Sequence, residues 1–470
     1  MTAAAPERTG WADVLAEGRA PRFVLICLGV WLAAADSLVT ATIMPAVGAS
    51  LGGYAWFGWA TAGFLLGSVA AGASSGRLAE MFGLRAGVAV TAAIYAAGCA
   101  LSAAAPDMAT FLAGRVLQGL GGGWVAGFSS VAVGLLFPDR TLAKVYAAVT
   151  AVWGIASLLG PLFGGVFADA GIWRWAFWSF AIQGLAVGAA AFWMLPKGDG
   201  RKAGAGVPVW QLAVIAAAVA AIGLADLAGN AAGALALIGL GMALLVLLVR
   251  WDARARVRLL PLASGDLRTA AGAGYATMFL MTVASMGFAI YGPAILQTLH
   301  GLSATGAGYV VSAESLAWTI AGLTVTSLAG AWPNRLILAG VVAAALGVAL
   351  SAPAFVAGGV VSVVLAGAVL GAGFGLCWSF MSQKIMVSLP TEERAIGAAA
   401  MTTVRLTGAA AGAALAGVAA NLVGFAQGLS EATAKAAGLW VALALLPLGI
   451  AAIWPARRLA AASPEPPAPL

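Results

Sequence analysis

The sequence predicts an all-α integral membrane protein with about 14 transmembrane helices and both termini in the cytoplasm. Its composition leads to this prediction, because 62% of the 470 residues are hydrophobic, only 9% are charged and the mean hydropathy is +0.99. A soluble domain carries about 25% charged residues, so this chain lacks the polar groups that a water-facing surface needs. The 63 glycines favour helices packed closely together. The roughly ten-residue alternating segments of a membrane barrel do not occur.

A helix needs about twenty apolar residues to cross a bilayer, and the hydropathy predicts such segments along the whole chain. Six come first, then a shorter pair, then six more. The predicted spans are, in order, 22–46, 53–76, 86–105, 109–136, 141–168, 174–195, 208–228, 231–250, 269–293, 304–329, 335–352, 356–384, 395–424 and 434–455. An even number of spans places both ends of the chain on one side of the membrane.

The basic residues indicate which side that is, because cytoplasmic loops collect lysine and arginine. With the N-terminus inside, 20 of the 24 basic residues fall in predicted cytoplasmic segments. Arg174 and Lys435 fall outside, and Arg115 and Arg405 lie within helices. The net charge of +7 therefore reflects membrane topology, and no nucleic-acid partner is expected.

Two stretches of the chain resemble each other and indicate an internal repeat. "LAGRVLQGLGGGW" begins at Leu112 and "LAGAVLGAGFGLCW" at Leu365, an offset of about 253 residues, and each is followed by a short charged turn after a proline. Two related six-helix halves are the plan of a transporter with its substrate site between them. The predicted segments are a cytoplasmic N-terminal segment 1–21, a six-helix bundle 22–195, a linker with two extra transmembrane helices 196–268, a second six-helix bundle 269–455 and a cytoplasmic tail 456–470.

The turn after the second predicted span reads "GRLAEMFGLRAG" and resembles the loop signature of the major facilitator superfamily. The matching residues are Gly76, Leu78, Gly83 and Arg85. Glu80 stands where the family has aspartate, and Met81 and Leu84 stand in place of two of the three usual basic residues. An acid and a base in this turn can latch neighbouring helices in one state of a conformational cycle. The alternative is that these residues are ordinary helix ends with cytoplasmic charge.

The fourth span carries "GRVLQGLGGGW", which is similar to the second signature of the superfamily. In that signature the arginine, here Arg115, is thought to assist proton transfer. The repeat gives Arg115 the counterpart Ala368, and an arginine present in one half alone suits a coupling role. The alternative is an arginine that snorkels toward the outer interface.

The fifth span ends in "LLGPLFGG", in which Gly160, Pro161, Gly164 and Gly165 match a signature specific to antiporters of the superfamily. Glycine and proline there permit a kink and close packing against a partner helix.

The fourteen spans and the "WRWAFW" stretch from Trp173 narrow the resemblance to the branch of fourteen-helix drug:proton antiporters. Asp36, Ser37 and Pro45 in the first span also stand where that branch has its acid, its hydroxyl residue and its proline.

Two acids lie deep in predicted spans and are the candidates for proton coupling together with Arg115. A charge at the middle of a membrane helix costs roughly 2.5–3.5 kcal/mol, so Asp36 in the first span needs a function or a partner. The resemblance implies that this helix lines a central cavity, where the carboxyl group binds a proton or a lipophilic cation, one at the expense of the other. The alternative is a helix contact through Thr40. Glu314 in the tenth span is the second candidate, and its alternative is packing through Ser312 or Ser315.

Several further residues are candidates for substrate binding beside these acids. They are Trp31, Gln118, Gln297 and Arg405. Aromatic side chains can stack flat cations. Those at Trp153, Trp318, Trp378 and Tyr291 equally suit simple packing or lipid contact.

The sequence predicts no enzyme, no cofactor and no metal site. The cysteines Cys27, Cys99 and Cys377 lack ligand spacing, His300 is the one histidine, and no phosphate loop occurs. We therefore expect a monomeric, multi-pass protein of the cell inner membrane that exports hydrophobic, cationic compounds in exchange for protons. One alternative is an exporter of an endogenous metabolite or anion. Another is a receptor or assembly protein that transports nothing.

Overall fold

A computed structural model describes residues 11–16, 18–195, 206–225, 230–325, 328 and 332–462. These residues form α-helices joined by short turns, and no strand occurs among them. The helices are α1 (Trp11–Leu15), α2 (Ala20–Leu51), α3 (Phe57–Ala104), α4 (Met108–Leu136), α5 (Asp139–Asp169), α6 (Arg174–Met194), α7 (Val209–Gly223), α8 (Ala231–Asp252), α9 (Ala270–His300), α10 (Ala304–Val325), α11 (Trp332–Val356), α12 (Val360–Val387), α13 (Arg394–Leu422), α14 (Glu431–Ala451) and α15 (Ile453–Ala461).

Helix α3 contains two of the predicted spans. Gly83, with φ 72° and ψ 161°, breaks it into two legs, and a residue without a Cβ atom adopts this conformation readily. Counting those legs separately, the described part of the chain holds fourteen long helices in the predicted order. Among the described residues, 11 segments are long and apolar enough to cross a membrane, and Val209–Gly223 is a shorter apolar helix.

The helices form two groups, an N-terminal half (α2–α6) and a C-terminal half (α9–α15).

The first described helix and the last lie at the same end of the bundle. Trp11 lies near Lys144 at the start of α5, and the carbonyl of Ala460 accepts a hydrogen bond from Lys384 at the end of α12. We call the opposite end the distal end. It carries the turns 52–56, 105–107, 170–173, 301–303, 357–359 and 423–430.

Glycine contacts reveal the internal repeat in three dimensions. Gly119 packs on the backbone of Phe64 and Gly371 packs on that of Glu314; likewise Gly123 packs on Ser68, and Gly375 on Trp318. Each pair of glycines is 252 residues apart. The first leg of α3 thus corresponds to α10, and α4 corresponds to α12. Side chains at these glycines would collide with the neighbouring backbone, so both halves depend on small residues for this close approach.

The inserted pair, α7 and α8, is anchored to the C-terminal half. The carboxylate of Asp252 at the end of α8 accepts hydrogen bonds from Gln211 and from the backbone N–H groups of Leu259 and Leu260. The segment after α8 is joined to the C-terminal half by an ion pair of 2.6 Å between Arg258 and Glu393, the residue directly before α13. The N-terminal half meets α7 through the Trp59 indole, which donates to the carbonyl of Gly223.

An aromatic cluster from both halves closes the distal end. Phe57 of α3 and Tyr291 of α9 lie 5.3 Å apart between ring centroids, and Phe425 contacts both rings at 5.3 and 5.1 Å. Tyr54 packs edge-on against Phe425. Through this cluster the two halves make close contact at the distal end. Gly72 in α3 and Gly154 in α5 lie nearer the other end, and a Cβ atom added to either glycine would meet nothing within 4 Å, so no neighbouring helix among the described residues packs closely on them.

A hydrogen-bonded latch joins the halves beside this cluster. The Asp169 carboxylate, at the end of α5, accepts from the backbone N–H of Ala304 at 2.7 Å and from the N–H and hydroxyl of Thr305 at 3.2 and 2.8 Å. It thereby caps the N-terminus of α10, where unpaired N–H groups favour a negative charge. Asn421 adds a second link by donating to the carbonyl of Ala55.

Candidate functional site

A buried cluster of three polar side chains lies inside the N-terminal half. Asp36 of α2 forms an ion pair with Arg115 of α4, whose Nη1 lies 3.0 and 3.1 Å from the two carboxylate oxygens. Gln118, one turn along α4, donates to Asp36 Oδ1 at 2.7 Å and accepts from Arg115 Nη1 at 2.7 Å. We call these three residues the polar triad. The spacing of three residues puts Arg115 and Gln118 on the same face of α4, so both reach the same carboxylate.

Further contacts fix the arginine in this position. Its Nε donates to the carbonyl of Ala60 at 3.1 Å, and its guanidinium lies 4.6 Å from the ring centroid of Phe64. Asp36 is 0% exposed and Arg115 is 1% exposed. The expected alternative of a snorkelling Arg115 is therefore wrong, because the side chain turns inward to a carboxylate. Asp36 is enclosed by the N-terminal half and does not lie open on a cavity wall.

The C-terminal half has an apolar contact at the corresponding place. The contact of Gly29 with Val125 is repeated by the contact of Met281 with Cys377, and both members of the second pair lie 252 residues after those of the first. The same offset therefore relates α2 to α9. It makes Phe288 the counterpart of Asp36, Gly367 that of Arg115, and Leu370 that of Gln118. A Cβ atom added to Gly367 would lie 2.7 Å from the Phe288 ring. The counterpart of Arg115 is therefore Gly367, one residue from the expected Ala368, and a phenyl ring fills the space of the ion pair.

Glu314 lies at a different place in its half. By the glycine contacts it corresponds to Phe64, the ring beside Arg115. The most exposed large residues of α10 are Tyr309, Leu316, Ile320 and Leu323, and the helical period of 3.6 residues puts Glu314 on the opposite side of the helix. Glu314 is partly exposed and makes no hydrogen bond or ion pair with the described part of the chain.

The remaining substrate candidates are dispersed. Arg405 is partly exposed in α13, again without a hydrogen bond or ion pair to a described residue. Gln297 lies near the closed distal end of α9, and its Nε2 has no described partner. The Trp31 indole donates to Gln183 of α6 at 3.1 Å, so it contacts its own half. Among the four further substrate candidates Trp31, Gln118, Gln297 and Arg405, all of them described residues, Gln118 is the one that contacts Asp36.

The aromatic candidates also separate into different places. Tyr291 belongs to the distal aromatic cluster, and Trp153 is 42% exposed on α5. Trp318 of α10 contacts two rings of α12. Its ring centroid lies 5.4 Å from that of Trp378 and 4.8 Å from that of Phe374. This group lies one helical turn from Glu314.

The loop signature is part of the kinked helix α3. Gly76 lies in its first leg and Gly83 forms the break, while the side chain of Glu80 is outside the described residues. The Arg85 guanidinium lies 4.1 Å from the ring centroid of Phe192 in α6. In this conformation Arg85 therefore contacts its own half.

The antiporter signature lies at the crossing of three helices. Gly160 packs on the side chain of Leu38, and Gly164 packs on the backbone of Val39, both in α2. Pro161 and Gly165 face α10, where they meet Gly308 and Thr305. This signature thus brings α5 close to α2 within one half and to α10 across the two halves.

Two further polar residues, Asp169 and Gln183, make contacts that were not predicted from the sequence. Asp169 follows the antiporter signature at the end of a predicted span. Its partner Thr305 lies at the start of the predicted tenth span, which begins at residue 304, so both positions at span ends were visible in the sequence. Gln183 gave no signal, because a single glutamine in an apolar helix does not reveal which indole it faces. Groups of three or more His, Cys, Asp or Glu side chains that could hold a metal do not occur among the described residues.

Comparisons with known proteins identify the family. The family model of the Major Facilitator Superfamily matches residues 26–413. A probable multidrug-efflux transporter of Mycobacterium tuberculosis is 32% identical over 467 residues, covering 95% of this chain and 96% of the relative. The multidrug transporter protein MdtP of Bacillus subtilis is 27% identical over 320 residues, covering 65% of this chain and 58% of that protein.

Solved structures share the fold at low sequence identity. The nucleoside transporter NupG superposes with a TM-score of 0.64 at 14% identity, covering 92% of this chain and 99% of that one. A peptide transporter POT in complex with sulfate also gives 0.64, at 18% identity, with 93% and 94% covered. With the family model matched over most of the helical bundle, the chain belongs to the Major Facilitator Superfamily, and it is a multi-pass membrane transporter and not an enzyme.

Proposed function

We propose that this protein is a proton-coupled antiporter that exports hydrophobic, cationic compounds across the inner membrane, with both termini in the cytoplasm. The observation that carries the proposal is the polar triad, an ion pair held inside the membrane by Asp36, Arg115 and Gln118. A buried ion pair is weak evidence for a contribution to stability, since apolar residues of similar volume often stabilise as well. The C-terminal half uses such apolar packing at the same place, so the ion pair in the N-terminal half calls for a function.

Proton binding at Asp36 would change the balance of charges in the triad. With the carboxylate ionised, its charge and that of Arg115 compensate each other. A proton on Asp36 cancels the negative charge and leaves the guanidinium without a counterion, which is costly away from water. The cost is relieved when α2 and α4 rearrange and when the proton leaves again. We therefore infer that protonation of Asp36 drives the change between the two states of the transport cycle.

The cargo is proposed from the relatives and from Glu314. The relatives named above are called multidrug-efflux or multidrug transporters, which supports export of varied hydrophobic compounds. A carboxyl group without a described partner, within a helix of the C-terminal half, supports a positive charge on those compounds, because a charge inside the membrane is costly unless a partner arrives. Asp36 already has two partners, so we assign it to coupling and assign the substrate charge to Glu314.

The two signatures are proposed to control the conformation. Gly83 and Arg85, with Gly76 and Glu80, form the turn of α3 that would latch the halves at the cytoplasmic end. The other signature, from Gly160 to Gly165, packs α5 on α10 while the distal end is closed. The closed distal end is the arrangement expected of an inward-facing state. We propose that each six-helix half rotates as a unit in a monomer.

A second candidate cargo is supported by Arg405. This arginine is partly exposed and makes no ion pair with a described residue, so an anionic group on an endogenous metabolite would be a suitable partner. A protein that transports nothing is a third reading, and it predicts that Asp36→Asn leaves function intact.

The test uses purified protein in liposomes with an imposed proton gradient. We expect ethidium, a lipophilic cation, to drive proton release by the wild type, and Asp36→Asn to reduce this release at least tenfold. The matched control is Asp107→Asn, which changes an exposed acid that caps α4 and should leave coupling within twofold. Folded wild-type protein that moves no protons with any lipophilic cation would contradict the cationic cargo, and organic anions would then be tested.

A further inference from the structure

The tryptophans near Glu314 form a platform of packed, partly exposed aromatic rings. Trp318 stacks on Phe374, with ring centroids 4.8 Å apart and an interplanar angle of 27°, and Trp378 leans against it at 5.4 Å and 58°. Phe374 is buried, whereas Trp318 and Trp378 are both partly exposed. The buried phenyl ring of Phe374 thus packs against both indoles.

Glu314 and Trp318 point the same way from α10. Residues four apart lie one turn from each other on one helix face, with Cβ atoms about 6 Å apart. That face is opposite to the exposed line of Leu316 and Ile320. The Glu314 carboxyl group, which makes no hydrogen bond or ion pair with a described residue, therefore lies one helical turn from the Trp318 indole on the same face of α10.

The corresponding place in the N-terminal half has neither feature. Ser68 corresponds to Trp318, and its hydroxyl group donates to the carbonyls of Phe64 and Gly119. Phe64, in place of Glu314, is covered by the guanidinium of Arg115. Internal packing explains the residues of the N-terminal half, but it explains neither an unpaired acid nor partly exposed indoles in the C-terminal half.

We propose that Glu314, Trp318 and Trp378 form a binding site for flat aromatic cations, in which a planar ring stacks on the indoles and its positive charge faces the carboxylate. Stacking and cation–π attraction both favour a planar, delocalised cation over a saturated one. This inference rests on the proposed function, since it names the substrate class of the same transporter. It adds that the aromatic platform recognises the flat shape of the cation, while Glu314 recognises its charge.

The test measures binding to the purified full-length protein for two probes of equal charge. Ethidium is flat and aromatic, and tetrapentylammonium is saturated. We expect Trp318→Ala to raise the Kd for ethidium about tenfold and that for tetrapentylammonium less than twofold. Trp318→Phe, which keeps a ring, should raise the Kd for ethidium less than threefold. Glu314→Gln should raise both values about tenfold, because it removes the charge and keeps the shape.

Trp440→Ala is the matched control, because this indole of α14 is 52% exposed and should leave both Kd values unchanged. The inference is overturned if Trp318→Ala binds ethidium as the wild type does, or if Trp318→Ala and Trp318→Phe weaken both probes equally. Proton release in liposomes is measured separately. The expected binding pattern without coupled proton movement would support the site and reject antiport, so the two failures are distinguishable.

Discussion

The two halves of this transporter share their backbone packing and differ in what fills one equivalent space. In the N-terminal half, Asp36 and Arg115 form a buried ion pair with a second partner in Gln118. In the C-terminal half, the ring of Phe288 lies against Gly367, and Leu370 takes the place of Gln118. The fold therefore does not require the ion pair. A property that one half has and its structural copy lacks is best explained by function.

The largest effect should come from breaking the triad on one side. Arg115→Ala would leave the Asp36 carboxylate buried without its counterion, and removing one partner of a buried pair costs about 3–5 kcal/mol. We expect the unfolding free energy in detergent to fall by about that amount and coupled transport to be lost. Denaturant unfolding followed by circular dichroism measures the change.

Ala368→Gly provides the contrast for this prediction, because it alters a partly exposed residue next to the counterpart of Arg115. It should cost about 1 kcal/mol, the usual penalty for glycine within a helix. An Arg115→Ala protein as stable as Ala368→Gly would mean that the ion pair carries no buried charge.

The distal latch tests whether the halves move against each other. Asp169→Ala removes three hydrogen-bond acceptor contacts to the start of α10, each worth about 1 kcal/mol. We expect the closed distal state to lose about 1–3 kcal/mol relative to the distally open state. Spin labels on Ala104 and Gly359, in opposite halves at the distal end, should then report a longer distance in a larger share of molecules.

Asp107→Ala is the control for the latch, since Asp107 caps α4 within one half. The label distances should be unchanged in that variant. If Asp169→Ala leaves the distances as they are in the wild type, Asp169 is a simple helix cap and no latch.

A smaller effect should show which half carries the inserted helices. The ion pair of Arg258 with Glu393 is partly buried, with side-chain exposures of 23% and 12%, so Arg258→Ala should cost about 1 kcal/mol. Lys435→Ala, which breaks an exposed pair with Glu431, should cost no more than about 0.5 kcal/mol. Equal unfolding free energies for the two variants would argue against an anchor at Arg258.

Much of the fold was predictable from the sequence, because a membrane requires long apolar helices and their lengths and order are visible in the composition. The fourteen long helices and the internal repeat follow from it. The predicted spans left residues 77–85 between them as a turn, whereas α3 is broken at Gly83 alone and helical residues continue to either side of it.

The site was predictable in its members and not in its contacts. Asp36 and Arg115 were both conspicuous as charges in apolar helices, yet their spacing of 79 residues does not reveal a pair. Which way a side chain points depends on how the helices rotate, and that rotation is set by glycine contacts such as that of Gly119 with Phe64. The counterpart of Arg115 was displaced by one residue for the same reason, since aligned letters do not fix a helical register.

The most direct test copies the C-terminal half into the N-terminal half. The triple variant Asp36→Phe, Arg115→Gly, Gln118→Leu replaces the polar triad by the apolar residues at the corresponding positions. We expect this variant to fold, within about 2 kcal/mol of the wild type because no buried charge remains unpaired. It should bind ethidium but release no protons in liposomes. If the triple variant still exchanges ethidium for protons, coupling does not require the polar triad and the proposed mechanism is wrong.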